Sequence, residues 1–250
     1  MQSHSEATTT TQLDPLFLQD KKTQCIYTHC YCEENIWKLC EKLKTENHPE
    51  LDHCYAIFLS SDNSVLPMWY QKDNGELIIW DYHVILIHKG PDSSTVYDFD
   101  TRLPYPTSFS NYVFKSFLVT YLLPNPPKRL ISMIQHLLFR IVPAREYLET
   151  FSSDRSHMWN EEKKEYSAPP PSYPCIQGNP STRMNLDDFR MMHRGKKEQV
   201  FDLNGWCEFF GISVSSILEE HCKKLTIRKV STNSEDEQDY EEDEDERDHE

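Results

Sequence analysis

The sequence is short of the features that mark export, membrane insertion and disulfide scaffolds. Residues 1–15 are polar, with neither a basic start nor an apolar core, so no secretory signal is expected. The most apolar stretch, 117–142, is interrupted by Pro124, Pro126, Pro127, Lys128, Arg129 and Arg140. No run of about 18 uncharged apolar residues is left to span a bilayer. No Asn-x-Ser/Thr acceptor with a permitted middle residue occurs. Eight cysteines in 250 residues are too sparse for a disulfide framework, and without export their thiols are expected to be reduced. Cys25, Cys30, Cys32 and Cys40 cluster, but the spacing C-x4-C-x-C-x7-C contains no C-x2-C pair, so a structural zinc is not expected. No basic stripe is interleaved with aromatics, which argues against a nucleic-acid partner. No internal repeat is visible.

What is present reads as one globular domain with polar ends. Apolar residues make up 38% and aromatics 12%, enough for a packed core. The net charge of −15 is unevenly placed. Residues 233–250 carry 12 Asp/Glu against one Arg, which leaves −4 for the other 232 residues, an ordinary domain balance. The expected organisation is a mobile Ser/Thr/Gln-rich tail over 1–20, a domain over 21–225 and a disordered acidic tail over 231–250.

Residues 33–44 read as a helix, with Ile36, Leu39, Cys40 and Leu43 on one face and charges on the other. Residues 54–60 and 65–70 read as short strands, the second an edge strand or irregular because of Pro67. Residues 77–88 give the strongest strand signal, and 95–100 form its hairpin partner across the turn at 89–94. Residues 109–148 read as mostly helical, split by the prolines at 124–127. Residues 166–181 are proline-rich and extended. Asn185 is placed to cap a short helix over 186–193, and another helix is expected from about residue 204, after a short strand or turn at 199–203.

Three residue types in this layout suggest chemistry. Cys32 stands at the start of the first helix, where unpaired N–H groups and the helix dipole favour a thiolate and can also hold an oxyanion. Glu33 and Glu34 oppose a thiolate, so Cys32 needs a histidine partner. His83 lies in the otherwise apolar strand around 84–87 and is the candidate. If residue 88 pairs with 95, His83 falls opposite Asp100 and diagonal to Asp98; a two-residue slip puts Asp98 opposite instead. Asp81 shares the same face. Taken singly, each has a plainer reading: a small buried cysteine, a solvent-facing strand histidine, solvated charges near strand ends. Together they suggest a Cys–His–Asp set, with Asp98 and Asp100 both open.

Three segments carry a family resemblance: Cys30-Tyr-Cys-Glu-Glu-Asn-Ile-Trp37, Trp80-Asp-Tyr-His-Val84 and Tyr97-Asp-Phe-Asp-Thr-Arg-Leu-Pro104. Phe151-Ser-Ser-Asp-Arg-Ser-His-Met158, Pro169-Pro-Pro-Ser-Tyr-Pro-Cys175 and Met184-Asn-Leu support it. Over about residues 25–210 the sequence resembles the protein N-terminal glutamine amidohydrolases. The resemblance implies an α+β fold with a papain-like or transglutaminase-like core, a helix packed on an antiparallel sheet. It implies a catalytic set of Cys32, His83 and Asp98, and no metal or organic cofactor. It further implies substrates that are proteins or peptides with an exposed N-terminal Gln, deamidated within the N-degron branch of protein degradation.

Tyr31, Glu33, Trp80, Phe151 and Asp154 are candidate substrate-binding residues by motif position. Asp154 and Arg155 have a plainer reading as an ion pair. The expected protein is a cytoplasmic monomer, with the nucleus as a second location and no membrane partner. Residues 117–142 look longer and more apolar than the family's corresponding segment. Residues 194–200 and the chain after about 212 fit it poorly, and the acidic tail has no counterpart. Two rivals stay open on the residues alone: a papain-like protease or isopeptidase, and an impaired variant acting only as an interaction protein.

Overall fold

A 14-residue helix, α1 (Cys32–Thr45), leads into the sheet. In this computed structural model residues 22–72 and 77–224 are described; the expected tails over 1–20 and 231–250 lie outside them. No side chain caps the start of α1. The preceding loop is instead clamped by Asn35, whose Oδ1 accepts from the Thr28 amide at 2.7 Å and whose Nδ2 donates to the Thr28 carbonyl at 2.8 Å. Ile36, Leu39, Cys40 and Leu43 are all buried, as their spacing requires. Glu33 and Glu34 are buried too, although the periodicity assigned charges to the solvent face.

The strands that follow are β1 (Cys54–Ser60), β2 (Leu66–Trp69), β3 (Leu77–Trp80), β4 (His83–Lys89), β5 (Ser94–Tyr97) and β6 (Thr107–Ser108). The expected single strand over 77–88 is therefore two. Its break at Asp81 is fixed by Ser60 Oγ, which donates to the Asp81 carbonyl at 2.7 Å, and by Asp81 Oδ1, which accepts from the Tyr82 amide at 3.0 Å. β3 turns away to pair with β2 in a separate ribbon, where Pro67 sits in a strand with one partner.

The segment 109–148 departs most from expectation. It contains α2 (Phe109–Ser116), a 3-10 turn at Leu118–Leu122, α3 (Lys128–Gln135), a strand β7 (Leu138–Pro143) and α4 (Ala144–Thr150). β7 lies inside the main sheet, between β1 and a two-residue strand at Val200–Phe201. The six strands run in the order Val200–Phe201, β7, β1, β4, β5, β6, with every adjacent pair antiparallel. A strand covered on both faces loses its alternation, so its apolar run reads like a buried helix. Residues 117–142 are integrated, not disruptive: Phe117, Leu118, Ile134, Leu137, Phe139 and Ile141 are all buried.

The sheet carries a core on each face. Ala56, Phe58, Val84, Leu86 and Val142 pack with α1 and with Tyr147 of α4. Ile57, Leu59, Ile85, Ile87 and Ile141 pack with Phe109, Tyr112, Phe117 and Trp206. Helices thus cover both sides of the antiparallel sheet, and the fold is mixed α+β. Arg140, buried in β7, is satisfied entirely by carbonyls: its guanidinium donates to Phe189, Met191, Met192, Arg194 and Lys196. Those bonds hold the loop that follows α5 (Leu186–Arg190). Asn185 precedes α5 without capping it; its side chain accepts from the Ser152 amide and donates to the Thr150 carbonyl. The helix expected from residue 204 is α6 (Leu203–Phe209), followed after Gly211 (φ 84°) by a second helical stretch over 214–224. No described helix is long and apolar enough to cross a membrane.

Candidate active site

His83 is the first residue of β4, and the β4–β5 register pairs His88 with Thr95. Continued, that register sets His83 level with Asp100 and diagonal to Asp98. The hydrogen bond goes to the diagonal acid. His83 Nε2 lies 2.9 Å from Asp98 Oδ1, with both side chains buried. Asp98 falls just past the end of β5, and its remaining lone pairs are filled. The Asp100 amide donates to Oδ1 at 2.8 Å, Tyr112 Oη donates to Oδ2 at 2.8 Å, and Gln71 Nε2 approaches Oδ2 at 3.5 Å. Asp100 instead accepts from Tyr27 Oη at 2.5 Å.

Burial raises the Asp98 carboxyl, but the His83 charge and hydrogen bond, the Asp100 amide and Tyr112 outweigh it and hold the pKa below the ordinary value. Burial likewise disfavours the His83 imidazolium, and the Asp98 charge and hydrogen bond outweigh that, leaving His83 above the ordinary imidazole value. Trp80 stacks on the imidazole, with ring centroids 5.5 Å apart and planes 16° from parallel.

Cys32 is the first helical residue of α1 and half-buried. The sulfur lies against the backbone N–H of Val84, the residue after His83. Its thiol also points to Glu33 Oε2 at 3.6 Å. Burial, then the Glu33 charge, push the thiol well above its ordinary pKa, and the Val84 N–H works the other way. Burial and the neighbouring acid therefore favour the thiol over the thiolate. Cys30, the alternative nucleophile by position, is exposed and in the left-handed region (φ 65°).

The other candidates divide. Tyr31 is buried and donates to the Ala168 carbonyl at 3.1 Å. Glu33 is buried against Cys32, with Tyr82 Oη donating to its Oε2 at 3.0 Å. Trp80 is the stacking partner of His83. Phe151 is fully buried between Tyr147 and Phe189, so its ring offers no surface to a ligand; its position is one of packing. Asp154 accepts from the Ser156 amide at 3.0 Å and faces Arg183 at 3.8 Å. The Asp154–Arg155 ion pair does not form. Arg155 is instead bidentate to buried Glu34, at 2.9 and 2.8 Å.

Sequence reasoning missed Tyr112, Tyr82 and His157 as parts of the site. Only their place within or between motifs could have drawn attention, because each is joined to the site by long-range packing.

Among the described residues, one group of metal-capable side chains converges: His83, Asp98 and Asp100, with ligand atoms within 4.8 Å of one another. The facing atoms of His83 and Asp98 are spent on each other and Asp100 is engaged by Tyr27, so the set reads as an imidazole–carboxylate pair. A cavity of about 650 Å³ lies elsewhere, between Asp62, Arg129, His136 and Asp202, and includes none of Cys32, His83 or Asp98. Chemistry, not cavity size, picks out the site.

A thiol at a helix start, lying against the backbone of the residue that follows an imidazole held by a buried carboxylate, brings together the three group types of thiol-dependent acyl-transfer enzymes. Comparison with known proteins narrows the class. Residues 27–210 match the family described as N-terminal glutamine amidase. The protein N-terminal glutamine amidohydrolase of Danio rerio is 42% identical over 195 residues, covering 76% of this chain and 91% of that protein. Those of Drosophila mojavensis and Bos taurus are each 42% identical, over 200 and 171 residues; they cover 78% and 67% of this chain, and 92% and 78% of the relative. The chain belongs to the N-terminal glutamine amidase family.

Proposed function

We propose that this protein hydrolyses the side-chain amide of an N-terminal glutamine on proteins and peptides, leaving glutamate and releasing ammonia. The observation that carries the chemistry is the buried His83–Asp98 bond, with the Cys32 sulfur against the backbone N–H of the next residue, Val84, in a chain of this family. His83 takes the thiol proton as the sulfur attacks the amide carbon. Asp98 holds the ring so that Nδ1 is the nitrogen left for the thiol, and stabilises the imidazolium that forms. The backbone N–H of Cys32, at the first helical position, lacks an intrahelical acceptor and is placed to hold the oxyanion. The proton then passes from His83 to the leaving ammonia, and a thioester remains. Water, deprotonated by His83, releases the glutamate and restores the thiol. This balance needs no metal or organic cofactor.

The helix-start thiol, with its partners on antiparallel strands, supports a papain-like or transglutaminase-like core over about 21–225. Trp80 walls the imidazole and Glu33 adjoins Cys32; Tyr31 and Asp154 are kept as substrate-binding candidates by motif position. Asparagine carries its amide one methylene nearer the backbone. That difference is worth about 1–3 kcal/mol in a simple pocket, and a displaced carbon also loses attack geometry. A reduced thiol suits a cytoplasmic, monomeric enzyme acting in the N-degron branch of protein degradation.

The test is ammonia release from a Gln-initiated peptide beside an Asn-initiated one, with mass analysis of the product. Ammonia from the Gln peptide alone, with the chain left intact, is expected. A cleaved peptide, or equal release from both, would overturn this reading.

A further inference from the structure

Three acids are buried around Cys32, and two are fully paired. Asp98 has His83, Tyr112 and the Asp100 amide. Glu34 has the Arg155 guanidinium, itself tied to the Pro171 and Tyr173 carbonyls. Glu33 is the exception. Its Oε2 takes the Tyr82 hydroxyl and faces the Cys32 thiol, but its Oε1 is buried without a hydrogen-bond partner. The group nearest it in charge is His157, whose Nε2 lies 3.4 Å away without aligning for a hydrogen bond. Both His157 ring nitrogens are also buried and unpartnered.

At 3.4 Å the two groups are within ion-pair distance, yet neither has a hydrogen bond at these atoms, and a buried polar atom without one is costly. Two such groups facing each other beside a nucleophile describe a place made for a missing donor. A primary ammonium satisfies both: it neutralises Glu33 and donates to Oε1 and to a neutral His157 nitrogen together. The substrate proposed above carries that group, four bonds from the carbon that Cys32 attacks. Glu33 is in contact with Cys32, so a glutamine whose amide meets the sulfur brings its α-ammonium into the same neighbourhood. His157 is the slightly exposed member, with a side chain 10% accessible, and is the one that yields as the ammonium enters.

We infer that Glu33 and His157 form the subsite that reads the free α-ammonium of the substrate, and so restrict the enzyme to chain termini. This inference rests on the amidohydrolase reading and assigns a specificity element within it.

Binding of a Gln-initiated peptide and its Nα-acetyl form to the Cys32→Ala protein, by calorimetric titration, tests it without turnover. The free-amine peptide should bind more tightly. Adding Glu33→Gln should cut that preference by about 10- to 100-fold, the range for one charge-assisted hydrogen bond. Glu33→Asp, which keeps the charge on a shorter arm, should retain part of it, and carries the test if the Gln variant does not fold. An undiminished preference in either variant would overturn the inference. Absence of binding by both peptides, together with no ammonia release by the unaltered enzyme, would overturn the amidohydrolase reading instead.

Discussion

Asp98 and Glu33 are both fully buried carboxylates within the same site, yet the chain treats them differently. Asp98 sits past the end of β5, gathering donors from β4, α2 and its own loop. Glu33 sits in the first turn of α1 with one oxygen unmet. The first arrangement is complete before any substrate arrives; the second is not. A satisfied network fixes a group in place, and here it fixes the imidazole. An unsatisfied one costs stability unless something else completes it, and here the substrate's own charge is suited to do so. The imidazole side of the site is prebuilt, whereas the α1 side keeps a buried carboxylate oxygen without a hydrogen-bond donor.

Among the groups that support the nucleophile, the largest effect should come from breaking the complete side. Asp98→Asn should lower kcat by roughly 10²–10⁴-fold while the protein stays folded, because the imidazole loses its orienting charge. The same variant has a pH signature. With Asp98 present, His83 titrates above its ordinary value and the acid limb of the rate profile follows it. Without the Asp98 charge, burial pulls the His83 pKa down, so the acid limb of kcat/KM should move to lower pH. A limb that moves up, or stays, would break the assignment of Asp98 as the partner.

Next in size is the neighbouring ion pair. Arg155→Met strands the buried Glu34 charge, and should destabilise the fold by about 3–5 kcal/mol in denaturant melts. Smaller again is Tyr112→Phe. It removes one donor from Asp98 and should cost about 1–3 kcal/mol of stability, with a fall in kcat well short of that of Asp98→Asn. Smallest is Lys164→Ala. Its pair with Glu161 is exposed, and both stability and activity should stay within about 0.5 kcal/mol of the parent.

The contrast also explains what the sequence made legible. The apolar face of α1 follows from spacing, and all four of its residues are buried as expected. Hairpin length allows the 88-with-95 register and a two-residue slip, and both put His83, Asp98 and Asp100 on one face; the structure takes the first, with His83 and Asp98 as a diagonal pair. Both shared faces rest on local periodicity. Glu33 and Glu34 do not: two acids in a first helical turn read as solvated, and only Arg155, some 121 residues away, explains why Glu34 is inside. β7 was hidden for another reason. Its run Leu138–Pro143 is covered on both faces, so no alternation marks it as a strand, and the prolines and helices before it suggest more helix. Phe151 shares a motif with site residues yet packs in the core, since position within a motif does not say which way a ring points.

The central claim is that the sulfur of Cys32, and not a neighbouring thiol, attacks the glutamine amide. Ammonia release from a Gln-initiated peptide by Cys32→Ala and by Cys30→Ala measures it directly. Cys32→Ala should abolish release and Cys30→Ala should leave most of it. Equal loss in the two variants, or survival of activity without Cys32, would contradict it.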